Sequence, residues 1–454
     1  MTSIVAVRAA LKSSDSEHAS MFASLLEENK FIPYKSRGYS KRRLGVDYAR
    51  LGKKQVPSGL RGSHSPKTLH DMCLRDLPHA REKFGAQLTY FSQPGWSSTL
   101  EDGDQEATGM QTINTLIDAD AGDTTTIVTF PSETLEKMCA EDWESPQNTL
   151  RTTMTTCTVL PKDTLLPLHH SNEGTTITTL LTGTIVWIIW PPTAKNMRGL
   201  QTMYEIMRER GDEKPNLTFL FEGGMVLVQN EGDGLRIPAH SIMMALATST
   251  SVLAAYSEVT VENFTATLEK MPMLRAWFQT EIDGNRKQAE FFASVLRQLD
   301  LLLNGNPEGE DSENPETMVS DEVKLPRTEG GLLDTLLLTW DRAKGDVAAM
   351  MGPADQKSME DIWEEFLIDC MGQECRICGE HVQNNEKLMK QHFIASHWSA
   401  VQETKQDDSV EMLGKNEGDA KTAEQVEEVE GDCDLGDTTM HEGDAIDLAA
   451  LDLS

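Results

Sequence analysis

The sequence contains no apolar run near the length a bilayer span needs, about 20 residues. Its opening stretch, MTSIVAVRAALKSSD, has too short an apolar run for a secretory signal. Basic residues are scarce: 41 Lys and Arg stand against 73 Asp and Glu, a formal net charge of −32. Cysteines number seven, an odd count, scattered but for one close pair. These shortages argue against a membrane protein, a secreted protein and a disulfide framework. They point to a reducing compartment in which the close pair serves a metal. A chain of 454 residues has room for two or three domains.

What charge there is lies unevenly. Between Lys35 and Lys67 ten Lys or Arg face one acid, Asp47, among Gly, Ser and Pro. This stretch is expected to be extended and mobile. It suits a nuclear import signal or a weak phosphate-backbone contact, with a solvated linker as the plainer alternative. From Val401 onward seventeen Asp or Glu face three Lys, so a disordered acidic tail is expected. Its last residues set Ile446, Leu448, Leu451 and Leu453 among acids, a spacing that can fold as a short helix in a partner's groove.

The β signal concentrates in two blocks. Leu165 to Pro192 reads LLPLHHSNEGTTITTLLTGTIVWIIWPP, two Thr-, Ile- and Val-rich runs broken at Gly183 and stopped by a Pro pair. Gly223 to Val259 is a meander of short runs (MVLVQ, LRIP, IMMALA, SVLAAY) punctuated by Gly, Asp and Pro. Strands of this length and spacing predict an antiparallel sandwich or barrel.

Two phrases in these blocks, GTIVWIIWPP and EGDGLRIPAHSIMMA, resemble the ends of a jumonji-C domain in a version common in fungi. The family words are G-x-K-x-W followed by Pro, and G-D-x-L-x-x-P followed by a His. The resemblance covers roughly residues 85 to 260. It implies an α+β chain built on a double-stranded β-helix of the cupin, or jelly-roll, type. It also implies an iron(II) site of two His and one acid, with 2-oxoglutarate as co-substrate.

This chain departs from that pattern at nearly every ligand. With His169 as the first ligand, Ser171 fills the acid position; with His170, Asn172 does. Glu173 is one or two residues late, and on a strand one residue turns a side chain to the other face. The late His falls on Met243, and the Lys that pairs with 2-oxoglutarate is replaced by Ile185. The reading is a scaffold that no longer holds iron in the family's manner. A second arrangement stays open, an active dioxygenase in which His169 or His170, Glu173 and His240 supply the ligands and Arg236 a substitute cation. A metal-free cupin that binds a sugar or other small molecule is a third.

Around the barrel, helices are expected at Ala19–Asn29, after the cap candidate Ser132, and in the insert carrying Leu200, Met203, Ile206 and Met207. TLEDGDQEATG reads as a polar loop. After the barrel, Phe291, Phe292, Val295, Leu296, Leu299 and Leu302 recur at helical spacing. The expected divisions are 1–84 (helix and basic segment), 85–260 (barrel), 261–370 (helices, with an acidic linker at 305–329), 371–400 (metal module) and 401–454 (tail).

The metal module is Cys375, Cys378, His392 and His397, spaced C-x2-C-x13-H-x4-H. Two thiolates on a tight turn and two imidazoles about one helical turn apart can close a tetrahedron around zinc. The pattern resembles a two-Cys, two-His zinc finger with a loop one residue longer than the usual twelve. Four protein ligands leave no open position, so this zinc is structural. Val382 with Leu388 or Met389 is expected to form its small core. One finger reads only about three base pairs, so contact with protein is at least as well supported as contact with DNA. The function expected is that of a nuclear, catalytically impaired protein, binding protein partners such as histones or chromatin components and regulating transcription.

Overall fold

The computed structural model describes residues 4–28, 31–33, 52–54, 56–61, 64–84, 90–92, 102–118, 126–140, 148–171, 173–210, 218–281, 284–305, 325, 331–368 and 370–398. Most of the basic stretch, Asn172, most of the acidic linker and the whole acidic tail lie outside these residues.

Among the described residues, eleven strands form one branched sheet: β1 (Ile32–Pro33), β2 (Gly52–Lys54), β3 (Tyr90–Ser92), β4 (Ile127–Pro131), β5 (Thr149–Thr152), β6 (Thr156–Leu160), β7 (Leu165–His170), β8 (Thr175–Trp190), β9 (Met225–Asn230), β10 (Gly234–Ile237) and β11 (Ile242–Thr260). Every described pairing is antiparallel except β1 with β9.

Strands β8 and β11 run side by side along nearly their whole length. Their first and second halves belong to different layers. One layer sets β9, the second half of β8, the first half of β11 and β7 in order. The other sets β2, β10, the first half of β8, the second half of β11, β6, β4 and β3. Long strands that bend from one layer into the other close a sandwich at its corners. The result is compatible with a cupin-like fold.

Gly183 was expected to separate two strands. Instead β8 passes through it at φ +90°, and a Cβ there would stand 2.2 Å from Ser251 Oγ and 2.6 Å from Thr250 O. The glycine permits the bend and the close approach of β11. The separate runs IMMALA and SVLAAY likewise join into the single strand β11, which shifts register between Ala247 and Leu253.

Three apolar layers follow from the alternation of these strands. Ile185, Trp187 and Ile189 of β8 meet Leu227, Leu235 and Met243 between the two layers. Val186, Ile188 and Trp190 face the opposite way, under the helices described next. Ile177, Leu181, Val252 and Ala254 form the outer face of the second layer.

Twelve helices are described: α1 (Ile4–Lys12), α2 (Glu17–Glu28), α3 (Pro66–Phe84), α4 (Asp102–Asn114), α5 (Glu133–Ala140), α6 (Ala194–Arg210), α7 (Val261–Leu268), α8 (Met271–Phe278), α9 (Gly284–Leu303), α10 (Leu332–Met350), α11 (Pro353–Ile368) and α12 (Glu386–Phe393). Helices α3, α4 and α5 cover the second layer, and the others share one continuous core with the first.

One expectation changes here. The stretch TLEDGDQEATG is not a loop: α4 includes most of it, because the run continues into Met110, Ile113 and Leu116, which anchor it on the sheet. The basic stretch, expected to be extended and mobile, lies mostly outside the described residues; its described part includes the short strand β2, paired with β10, and a helical turn at Ser58–Leu60. The expected cap does form: Ser132 Oγ accepts from Leu135 N at 3.2 Å and donates to Asp76 at 2.6 Å.

Candidate functional site

The space between the two strand layers is filled by side chains of their own strands. Trp187 Nε1 donates to Gln229 Oε1 at 2.9 Å, and Gln229 Nε2 donates to Thr178 Oγ1 at 3.2 Å. Ile185 is fully buried and Met243 nearly so, both in the apolar cluster between the two layers. Neither offers a cation or an imidazole. Beside His169 lies a cavity of about 50 Å³, whose lining includes Thr153, Thr156, Met243, Tyr256 and Ser257. Ligand pockets run to roughly 300 Å³ and more, and one water takes about 30 Å³.

One atom of each candidate iron ligand is held by a partner outside any shared metal position. His169 Nδ1 bonds the Pro167 carbonyl at 2.7 Å. His170 Nδ1 lies 2.7 Å from the Tyr204 hydroxyl of α6, with the Trp277 ring edge-on at 5.2 Å. Burial lowers His169 to about 4 and His170 to about 3, so both are neutral at pH 7.

His240 adopts a left-handed conformation, φ +56°, and its Nε2 lies 2.8 Å from Thr267 Oγ1 on α7. Burial, with lesser help from His170 and Lys270, holds it well below the usual imidazole range. Glu173 is held by Arg151 at 2.6 Å.

Ser171, at one acid position, is stitched to the turn before β11. Its Oγ donates to Pro238 O at 2.9 Å and accepts from Ser241 N at 2.8 Å. Arg236 lies on the strand face opposite Leu235 and Ile237, close enough to Tyr256 to act on its hydroxyl. Asn172 lies outside the described residues. Among the described residues, no three His, Cys, Asp or Glu side chains of the barrel gather in a group that can hold a metal. The residues present do not fit an iron site.

They do fit a zinc site at the other end of the chain. The ligand atoms of Cys375, Cys378, His392 and His397 all lie within 4.8 Å of one another. Cys375 Sγ is 3.4 Å from His397 Nε2, and Cys378 Sγ is 3.5 Å from His392 Nε2. A tetrahedral ion with bonds of about 2.3 Å to sulfur and 2.0–2.1 Å to nitrogen sets such pairs ~3.6 Å apart.

The backbone explains the unusual spacing of the histidines. Residues five apart on an α-helix diverge by about 140°. Here α12 passes into a π turn, Ile394–Trp398, which brings His397 back beside His392 at a ring separation of 5.2 Å. Burial pushes the Cys375 thiol up to about 11 and the His397 imidazole down to about 4. A bound cation replaces the thiol's proton, so its binding works against the first of these costs.

The module is not a free finger. Cys375, Val382, Met389 and Phe393 belong to the same apolar core as Trp340 and Trp363 of α10 and α11. Of the two core candidates, Met389 is buried and Leu388 is exposed. The module's cations face acids of the same helices: Lys390 meets Glu364 at 2.7 Å and Arg376 meets Asp334 at 3.4 Å.

Sequence reasoning missed Tyr204, Arg151 and Asp341. The site residues they face lie 34, 22 and 56 residues away in the chain, and no local signal announces such neighbours.

No family model matches the chain, and no curated protein matches it. Among solved structures, it is similar to that of KdgF from Halomonas sp., with 13% identity over 29% of this chain and 79% of that one. The TM-score is 0.17, too low to bear on fold or function. No described helix is long and apolar enough to cross a membrane.

Proposed function

We propose that this chain is a jumonji-C-like binding protein of the nucleus whose barrel has exchanged catalysis for packing, and whose zinc module fixes the helical half. The observation that carries this reading is the state of the barrel interior. Ile185, at the Lys position, is buried in the apolar layer, and Met243, at the late-His position, presents a thioether to a cavity of about 50 Å³ shared with His169, His170 and Ser171. Buried positions of this kind contribute to stability rather than to ligand exchange.

The nuclear and chromatin assignment draws its support from the two family phrases and from the charge layout, a basic stretch at Lys35–Lys67 and an acidic tail. Its partners are then proteins, histones among them, with weak nucleic-acid contact through the basic stretch. Lys390 and Arg376 are already paired with acids of the chain, which favours protein contact over DNA contact by the module.

The test is a thermal-shift titration of the full-length chain with ferrous iron and 2-oxoglutarate under anaerobic conditions. A ligand at 100 times its Kd adds about 2.7 kcal/mol of stability. The reading predicts no shift with the pair together. A shift that requires both, and vanishes in His169→Ala/His170→Ala, would restore the dioxygenase.

A further inference from the structure

The zinc module holds one buried nitrogen that its own residues do not satisfy. His397 is 2% exposed, and its Nδ1 has no hydrogen-bond partner among the described residues. Once Nε2 binds a metal, Nδ1 carries the ring's proton and must donate it. The acid facing that nitrogen is Asp341 of α10, with Oδ1 at 3.9 Å, beyond hydrogen-bond reach. Asp341 is held back by Lys344 Nζ at 2.6 Å, one helical turn along.

His392 is placed differently. Its Nδ1 faces Glu380 at 3.5 Å, an exposed residue of the module itself. Among the described residues, the acid facing one ligand therefore belongs to the module, while the acid facing the buried one belongs to the helical segment.

We propose that Asp341 is a positioning residue for the metal: it turns from Lys344 to accept the His397 Nδ1 proton when zinc binds, so that α10 completes the site. This inference rests on the zinc reading. It makes metal affinity a property of the docked module, and it makes Lys344 a competitor for the same carboxylate. An outer acid that orients a ligating imidazole is worth about 10- to 100-fold in metal affinity.

The test strips zinc from the full-length chain and measures its dissociation constant by competition with a chromophoric chelator. Cobalt(II) spectra serve as the geometric readout, and the melting temperature of the metal-free chain serves as the structural control. Asp341→Ala should weaken zinc by about 10-fold or more and alter the cobalt bands, with metal-free melting unchanged. Asp341→Glu should recover most of the loss, and Lys344→Ala should tighten binding.

Asp334→Ala breaks a partly exposed contact from the same helix to Arg376 without touching a ligand. It should stay within about threefold of wild type, the scale of a surface ion pair. Equal affinity in Asp341→Ala and wild type overturns the proposal. So does an equal loss in Asp334→Ala, because docking alone then accounts for the effect. A wild-type chain that binds no zinc fails earlier and separately, and removes the zinc reading itself.

Discussion

Arg151 Nη2 donates to Glu173 Oε1 across 2.6 Å, and both side chains are almost shut off from water. That pair takes up the carboxylate that follows the His pair in the sequence. It also sets a cost on changing it, since a buried charge left alone is far worse than a buried pair. Glu173→Ala should lower stability by about 3–5 kcal/mol in urea denaturation. Arg151→Met together with Glu173→Leu should recover much of that. A loss under about 1 kcal/mol in the single variant would mean that the two groups remain hydrated.

The bend at Gly183 gives a second prediction. A methyl group there meets Ser251 and the Thr250 carbonyl, at a backbone angle that L-residues rarely adopt. Gly183→Ala should cost about 1–3 kcal/mol. Gly232 also has positive φ, +77°, but a Cβ added there would meet nothing within 4 Å, so Gly232→Ala should cost less. Equal midpoints for the two variants would contradict the crowded corner.

Acid should loosen the barrel before carboxylates titrate. His170 falls to about 3 in the fold against about 6.5 unfolded. His240 is depressed as well. A depressed pKa means that the unfolded chain binds the extra proton first, so stability present above pH 6.5 is lost as pH falls. Each group contributes up to about 1.4 kcal/mol per pH unit in that window. Urea midpoints measured from pH 7.5 to 5 should therefore fall, and His170→Gln should flatten the slope. An unchanged slope would mean that His170 is protonated at no cost.

Removing zinc should act on one half of the molecule. The module's Phe393 and Met389 share a core with Trp340 and Trp363, whose rings lie 5.1 Å apart. Chelation, or Cys375→Ser, should open amide exchange across α10, α11 and α12 and shift tryptophan emission to the red. The β8–β11 ladder should keep its protection. Loss of protection throughout would make zinc a condition for the whole fold.

Much of this was legible in the sequence, in a particular way. The β-rich run TIVWIIW announces a strand, and the structure buries it on both faces. The helical spacing of Phe291, Val295, Leu299 and Leu302 leads directly to α9. Gly183 misled because one glycine signals a hairpin turn and a strand bend equally well; only its contact with Ser251 tells them apart. The four metal ligands were readable from spacing, whereas the π turn that makes x4 work was not. The state of the barrel could be suspected from Ile185 and Met243, yet the partners of His170 and Glu173 came from distant elements and left no local trace.

Metal content after anaerobic ferrous reconstitution tests the central claim most directly, measured by elemental analysis on the full-length chain and on His169→Ala/His170→Ala. The account predicts one zinc per chain and no iron, with the same result in the variant. One zinc plus one iron, the iron lost in the variant, would contradict it and make 2-oxoglutarate turnover the property to measure next.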